Sequence, residues 1–289
     1  MTNYLLHVLF AAVLISLCTM GAVAEGIKNP FYAMDTCTKL HYPASDISPD
    51  AQLAMLQEIG YKGIAWTVGD PAELKQVIES CHKRRMKLYA HYAGATLSRD
   101  KLEVDPRLIS DMDMLKGSGT IIWLTISSTD YIRSSEDGDE AAVKGLRALA
   151  DEAASRKLRI AIYPHTGMWA ERIQDGLRLV KKAARKNIGV SFNLCHCLYV
   201  GDEKQIPDLL KSAAPSLFMV TLNGADSDAG GAGWDRLIQT LDHGTLDLHP
   251  LLQTLKAIRY TGPIGLQGYG LPGDRRDNLT RSMEAWKKL

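Results

Sequence analysis

The sequence has almost no charge imbalance, with 34 lysines and arginines against 33 aspartates and glutamates over 289 residues. A polyanion or a membrane surface is held by an excess of positive charge, so the balance argues against nucleic-acid binding and electrostatic membrane binding. Cysteine is also scarce. Beyond Cys18 in the N-terminal apolar run, only Cys37, Cys81, Cys195 and Cys197 remain. A chain of this length buries a core large enough to fold without staples, so an oxidising compartment permits a Cys37–Cys81 bridge and stability does not require it. Several chemical fingerprints are missing. There is no Walker A pattern, no Gly-x-Ser-x-Gly and no His-Glu-x-x-His. Walker-type nucleotide, serine-hydrolase and zincin readings fall away with them.

No apolar run is long enough to span a bilayer, which takes roughly 20 residues. The longest, Val8 to Met20, is followed by Ala22-Val23-Ala24, the form of a secretory signal with a small-residue cleavage site. The expectation is a signal peptide over residues 1–24 and one domain over 25–289, secreted or periplasmic and free of the membrane after processing. The segment Met1 to His7 brings no Lys or Arg to this signal, and Leu17 stands before Cys18 where a lipid-anchor site wants a small residue.

What the chain does have is repetition. Short β-rich runs recur at Phe31–Met34, Gly63–Trp66, Lys87–His91, Thr120–Ile126, Arg159–Tyr163, Gly189–Asn193, Leu217–Leu222 and Pro263–Gln267, each followed by a turn and an amphipathic stretch. Thr120–Ile126 is apolar nearly throughout, as a parallel strand covered on both faces should be. Asp70 and Pro71 offer a helix cap and first position, after which Leu74, Val77, Ile78 and Cys81 follow a helical period, as do Ile173, Leu177, Val180 and Ala184. Eight such units point to a closed (β/α)8 TIM barrel, with an open doubly wound sheet as the rival.

Such a barrel carries its chemistry at the strand C-termini. The runs end in Trp66, in His91, in Tyr163-Pro164-His165, in Asn193-Leu194-Cys195-His196, in Asn223 after Thr221, and in Gln267. Amides, a phenol and imidazoles suit a neutral polyhydroxylated ligand, and an indole can stack on an apolar sugar face. The last four strands supply no carboxylate, which leaves Asp226 in the long loop 224–235 as the candidate acid over the mouth. The substrate-binding set is therefore Trp66, His91, Tyr163, Asn193, Asn223, Asp226 and Gln267. His165 and His196 are the catalytic candidates, since imidazole exchanges protons near neutral pH, and they are expected on opposite sides of one pocket. The only Lys/Arg cluster at a strand end is Arg275-Arg276, so an unphosphorylated ligand is favoured.

Four segments carry a family resemblance. Ile160–Gly167, Val190–His196, Gly262–Gln267 and the loop Asp242–Asp247 resemble, in order, those of the xylose-isomerase-like TIM barrels, the sugar phosphate isomerase/epimerase-like proteins. The resemblance implies a carbohydrate ligand and substrate contacts at His165 and His196. In typical members a Glu, an Asp, a His and a Glu hold a divalent metal. The matching positions here read Tyr163, Asn193, Thr221 and Gln267. Neutral groups compensate a hard cation poorly, so no metal and no other cofactor is expected. Cys195-His196-Cys197 has soft-ligand chemistry without the second pair of a structural zinc site. Two readings follow: an isomerase, epimerase or lyase acting on a sugar derivative by proton transfer, and a catalytically silent carbohydrate-binding barrel.

Overall fold

In the computed structural model the described residues are 27–39, 45–67 and 69–289. The signal-peptide expectation lies outside them. Nine strands form one sheet: β1 (Phe31–Met34), β2 (Gly63–Thr67), β3 (Lys87–Leu97), β4 (Leu102–Val104), β5 (Ile121–Ser128), β6 (Arg159–Ile162), β7 (Ile188–Asn193), β8 (Leu217–Leu222) and β9 (Ile264–Leu266). Strand pairing runs β2-β1-β9-β8-β7-β6-β5-β3, and β2 pairs again with β3. That second pairing closes the ring. Every pair within it is parallel, so this is an eight-stranded (β/α)8 TIM barrel. No helix of the described residues is long and apolar enough to cross a membrane.

The helices form where the sequence stops and starts them. Asp70 accepts from the Ala72 amide at the start of the helix Pro71–Arg84, and Ser48 does the same for Pro49–Ile59, each with Pro at the first position. The helix Ile173–Ala183 buries Ile173, Gly176, Leu179 and Ala183, a face rotated slightly from the expected Leu177 and Val180. The cause is Gly176, where a Cβ would sit 3.0 Å from Val190 on β7. Bare backbone there draws the helix onto the sheet. At the chain's end, Trp286 stacks on Phe31 with ring centroids 4.2 Å apart, and Tyr61 donates to the Leu279 carbonyl, which closes the helical layer over β1.

The structure departs from the sequence reading most at β3, which continues from His91 to Leu97 and turns back into β4 as an antiparallel pair. Beyond Tyr92 its burial alternates through Ala93, Gly94, Ala95, Thr96 and Leu97. This is the period of a half-exposed ribbon above the barrel, not of a doubly covered strand.

Candidate active site

The loops after the strands enclose a cavity of about 320 Å³ at the C-terminal end of the barrel. Its walls are unusually aromatic. Trp66, Tyr92, Trp123, Tyr163, Trp234 and Tyr269 all line it, with Asp35, His165, His196 and Gln267 as the polar groups argued below.

The segment after β6 sets the geometry of the histidines. The Tyr163 amide still donates to Leu124 in strand fashion, Pro164 then ends the ladder, and Gly167 at φ 83 turns the chain so that the His165 amide reaches the Ala170 carbonyl. His165 Nδ1 lies 2.9 Å from the Thr166 carbonyl oxygen. A carbonyl only accepts, so Nδ1 carries the hydrogen and Nε2 is the bare lone pair. His196 sits in the short helix Leu194–Tyr199, whose start is capped by Asn193 Oδ1 accepting from the His196 amide. Asn193 Nδ2 donates to the Tyr163 hydroxyl at 2.9 Å, and that hydroxyl lies 3.1 Å from His196 Nε2. An amide nitrogen only donates, so the phenolic proton is available to His196 Nε2. His196 Nδ1–H then faces the Thr166 hydroxyl at 3.1 Å.

The two imidazoles do not flank the pocket as expected. They lie on one wall, with ring centroids 4.0 Å apart and tilted by 44°, because the cap at Asn193 folds His196 back onto the Tyr163–Thr166 turn. Burial lowers the His165 pKa, with the Thr166 carbonyl opposing. Burial also takes His196 well below the ordinary imidazole value, and His165 beside it adds to the shift. Both rings are therefore neutral at neutral pH.

Of the other sequence candidates, Trp66, Tyr163 and Gln267 line the cavity. Gln267 Oε1 accepts from Thr36 Oγ1 and from the Gly268 and Tyr269 amides, which leaves the Nε2 hydrogens to meet a ligand. Asn193 stands behind the wall and holds Tyr163. His91 is not brought to the cavity. With β3 extended it lies mid-strand, fully buried, its Nε2 3.0 Å from Asp111 in the helix Arg107–Met114. Asn223 is equally buried and donates to the Gly224 and Leu237 carbonyls, pinning the loop after β8. Asp226 is engaged by Arg236 at 2.9 Å, whose hydrogen bond holds its carboxyl below the usual range, and it is not a cavity residue. Its loop does cover the mouth, through Trp234, which stacks on Tyr199 and meets the edge of His196. Arg275 pairs with Asp46, and Arg276 pairs with Glu58, so neither is poised for a phosphate over the mouth.

The cavity's carboxylate is Asp35, the residue that follows β1, which sequence reasoning passed over. It is 3% exposed, accepts from the Thr67 amide at 3.0 Å and pairs with Lys39 Nζ at 3.0 Å. Lys39 is itself buried, 4.2 Å above the Trp66 ring. The available signal was an i, i+4 pair of opposite charge directly after a strand. Trp123 and Tyr92 were also missed, being mid-strand residues with inward side chains; Trp123 stacks on Tyr163 at 4.1 Å and donates to Ser191.

A family model described as xylose isomerase-like TIM barrel matches residues 53–289. The chain belongs to that family. Among solved structures it is similar to 3-keto-D-glucoside 4-epimerase from E. coli in its apo form, at a TM-score of 0.70 and 15% identity, covering 91% of this chain and 100% of that one. D-allulose 3-epimerase from Methylomonas sp. in complex with D-allulose is similar at 0.69 and 16%, covering 90% and 96%. IOLI protein with a binding zinc atom is similar at 0.70 and 14%, covering 89% and 96%. At these identities the likeness shows the fold. No curated protein matches the sequence.

The donor set at the family's metal positions does not fit a hard divalent cation. Asn193 Oδ1 accepts from the His196 amide and the Cys195 thiol, Gln267 Oε1 accepts three hydrogen bonds, and the Tyr163 hydroxyl is held by Asn193 and His196. Thr221 Oγ1 is buried with no hydrogen-bond partner among the described residues, but a hydroxyl alone does not compensate a dication. Among the described residues no group of three or more His, Cys, Asp or Glu is arranged to hold a metal. Burial raises the thiol pKa of both Cys195 and Cys197, so these are protonated sulfurs and poor soft ligands. All four described cysteines, Cys37 and Cys81 included, are free and buried.

Proposed function

We propose that this barrel binds a sugar or keto-sugar derivative in the mouth cavity and moves protons on it as an isomerase or epimerase, without a divalent metal. The observation that carries this reading is a pair of neutral, contacting imidazoles in an aromatic-walled cavity. A bare imidazole nitrogen in a dry site is a competent base at neutral pH. In the reaction His165 Nε2 takes a proton from the hydroxyl-bearing carbon next to the carbonyl, the C–H electron pair forms a C=C bond, and the carbonyl π pair moves onto its oxygen. The imidazolium then delivers the proton to the former carbonyl carbon while the neighbouring hydroxyl passes its proton to the enolate oxygen, so that the carbonyl moves one carbon along the sugar. Asp35 follows β1, four places round the eight-stranded ring from β6, and so meets the ligand from the opposite wall. The indole and phenol faces suit the apolar sides of a pyranose or furanose ring. A 3-keto-glucoside and D-allulose, named with two of the similar structures, set the first compounds to try.

The test is proton exchange. The protein, dialysed against EDTA, is incubated with keto-sugars in D2O and followed by proton NMR. Deuterium entering next to the carbonyl at an undiminished rate is the expected result. Exchange that vanishes on dialysis and returns with Mn²⁺ overturns the metal-free mechanism. Saturable binding with no exchange for any sugar supports the silent carbohydrate-binding barrel instead.

The same reading places the protein outside the cytoplasm, on the strength of Val8–Met20 and Ala22-Val23-Ala24. N-terminal sequencing of extracytoplasmic material should begin at Glu25; full-length chain confined to the cytoplasm contradicts it.

A further inference from the structure

The opposite, N-terminal face of the barrel is built quite differently from the mouth. The segments leading into the eight barrel strands, residues 27–30, 60–62, 85–86, 115–120, 156–158, 184–187, 214–216 and 258–263, hold nine lysines and arginines and no aspartate or glutamate. In a chain whose charges nearly cancel, this concentrates positive potential on one face. Part of it has a local explanation. Helix C-termini favour cations, and Arg156 and Arg185 are engaged by acids on the neighbouring helices, Asp113 and Glu152 for the first and Asp151 for the second.

Three cations that meet at one cavity are engaged by no acid among the described residues. Lys87 and Arg159, the first residues of β3 and β6, and Arg259, before β9, surround a cavity of about 440 Å³ in the barrel floor. Among the described residues none of the three makes an ion pair or a side-chain hydrogen bond. Two are instead held over aromatic rings: Arg159 lies 4.6 Å from the Phe218 centroid and Lys87 5.5 Å from that of Tyr89. A ring face orients a cation without neutralising it, so the donors remain directed and unspent. Cations brought together with no carboxylate among them repel one another, and an anion between them relieves that repulsion.

The geometry points to a second ligand site in the floor, for a phosphate group carried by a small molecule. Arg159 and Arg259 supply the planar forks that match phosphate oxygens, and Lys87 supplies a point charge. The site is independent of the sugar reading of the mouth. It also agrees with the pairing of Arg275 and Arg276 there, since a phosphate finds unspent cations at the floor and not at the mouth. Barrel floors do not carry the chemistry of this fold, so the ligand is bound and not turned over.

Isothermal titration of inorganic phosphate into the mature protein at low ionic strength is expected to show one site with Kd on the order of 1 mM or tighter. Arg159→Gln and Arg259→Gln should each weaken it about tenfold or more, the loss of a charge-assisted contact. Lys116→Gln, on the same face outside the cavity, should leave it nearly unchanged. Thermal unfolding reports whether each variant still folds. Methyl phosphate and phosphatidylglycerol vesicles distinguish the source: displacement by the soluble ester points to a free metabolite, displacement by vesicles alone points to a lipid headgroup, and both keep the phosphate site. No phosphate binding by the wild type, or equal losses in all three variants, overturns it.

Discussion

His165→Ala lowers turnover of the cognate sugar by about 10²–10⁴-fold, the usual contribution of a positioned general base, while the fold is kept. His196→Ala is expected to cost a comparable factor, because it removes the partner of the Tyr163 hydroxyl and of Thr166 and opens the wall on which His165 rests. The pH profile separates chemistry from packing. Both folded imidazole pKa values lie below 6.5, chiefly through burial. The neutral form is the active one, so turnover should stay level as pH falls through 6.5 and drop only in more acidic solution. Stability follows the same linkage. Below pH 6.5 the unfolded chain takes up protons on these histidines before the folded chain does, so folding free energy falls from there down to the folded pKa values. Urea unfolding at pH 7.5 and pH 5 should therefore show an acid loss that shrinks in the double alanine variant. Near-normal turnover in both single variants would remove the proton-transfer assignment. The carbohydrate-binding reading then stands only if ligand affinity has gone.

Most of the barrel was legible because a doubly covered parallel strand leaves a contiguous apolar run. Phe31–Met34 and Leu217–Leu222 carry the same bounds in sequence and structure. The extension of β3 was not legible in that way, since Ala93, Gly94 and Ala95 are small and the stretch alternates. That one boundary moved His91 from a presumed rim to the interface with the helix Arg107–Met114. At the mouth, the residues that end a strand or its following turn with a large side chain, Trp66, Tyr163, His165, His196 and Gln267, all reach the cavity. The short amides Asn193 and Asn223 do not, because a two-atom reach is taken up by the nearest backbone or phenol. Side-chain direction decides such cases, and a sequence does not carry it. The choice of Asp226 over Asp35 failed for a related reason: loop position says nothing about partners, and Arg236 ten residues on had already claimed Asp226.

Lys39→Met should destabilise the protein by about 3–5 kcal/mol, the cost of leaving one member of a buried ion pair behind. The side chains of Lys39 and Asp35 are 3% and 4% exposed and 3.0 Å apart, so water cannot replace the lost charge. The Thr67 amide still donates to Asp35 Oδ2, but one neutral hydrogen bond does not offset a carboxylate in an aromatic-walled cavity. Asp35→Asn should cost a similar amount from the other side, since it removes the carboxylate that faces the buried ammonium above Trp66. The pair is thus coupled, and the double variant Asp35→Leu with Lys39→Met should recover most of the loss, because well-packed apolar replacements of buried pairs are commonly neutral or stabilising. That recovery carries the functional argument. If apolar residues serve stability as well as the ion pair does, then stability alone does not explain a carboxylate on the wall facing His165. The double variant should accordingly fold well and bind or turn over its sugar poorly. Denaturant midpoints for the four species give the coupling energy, and titration with the sugar identified by the exchange experiment gives the functional arm. Were the double variant both stable and fully active, Asp35 would be a packing residue and the ligand would be read from the imidazole wall alone.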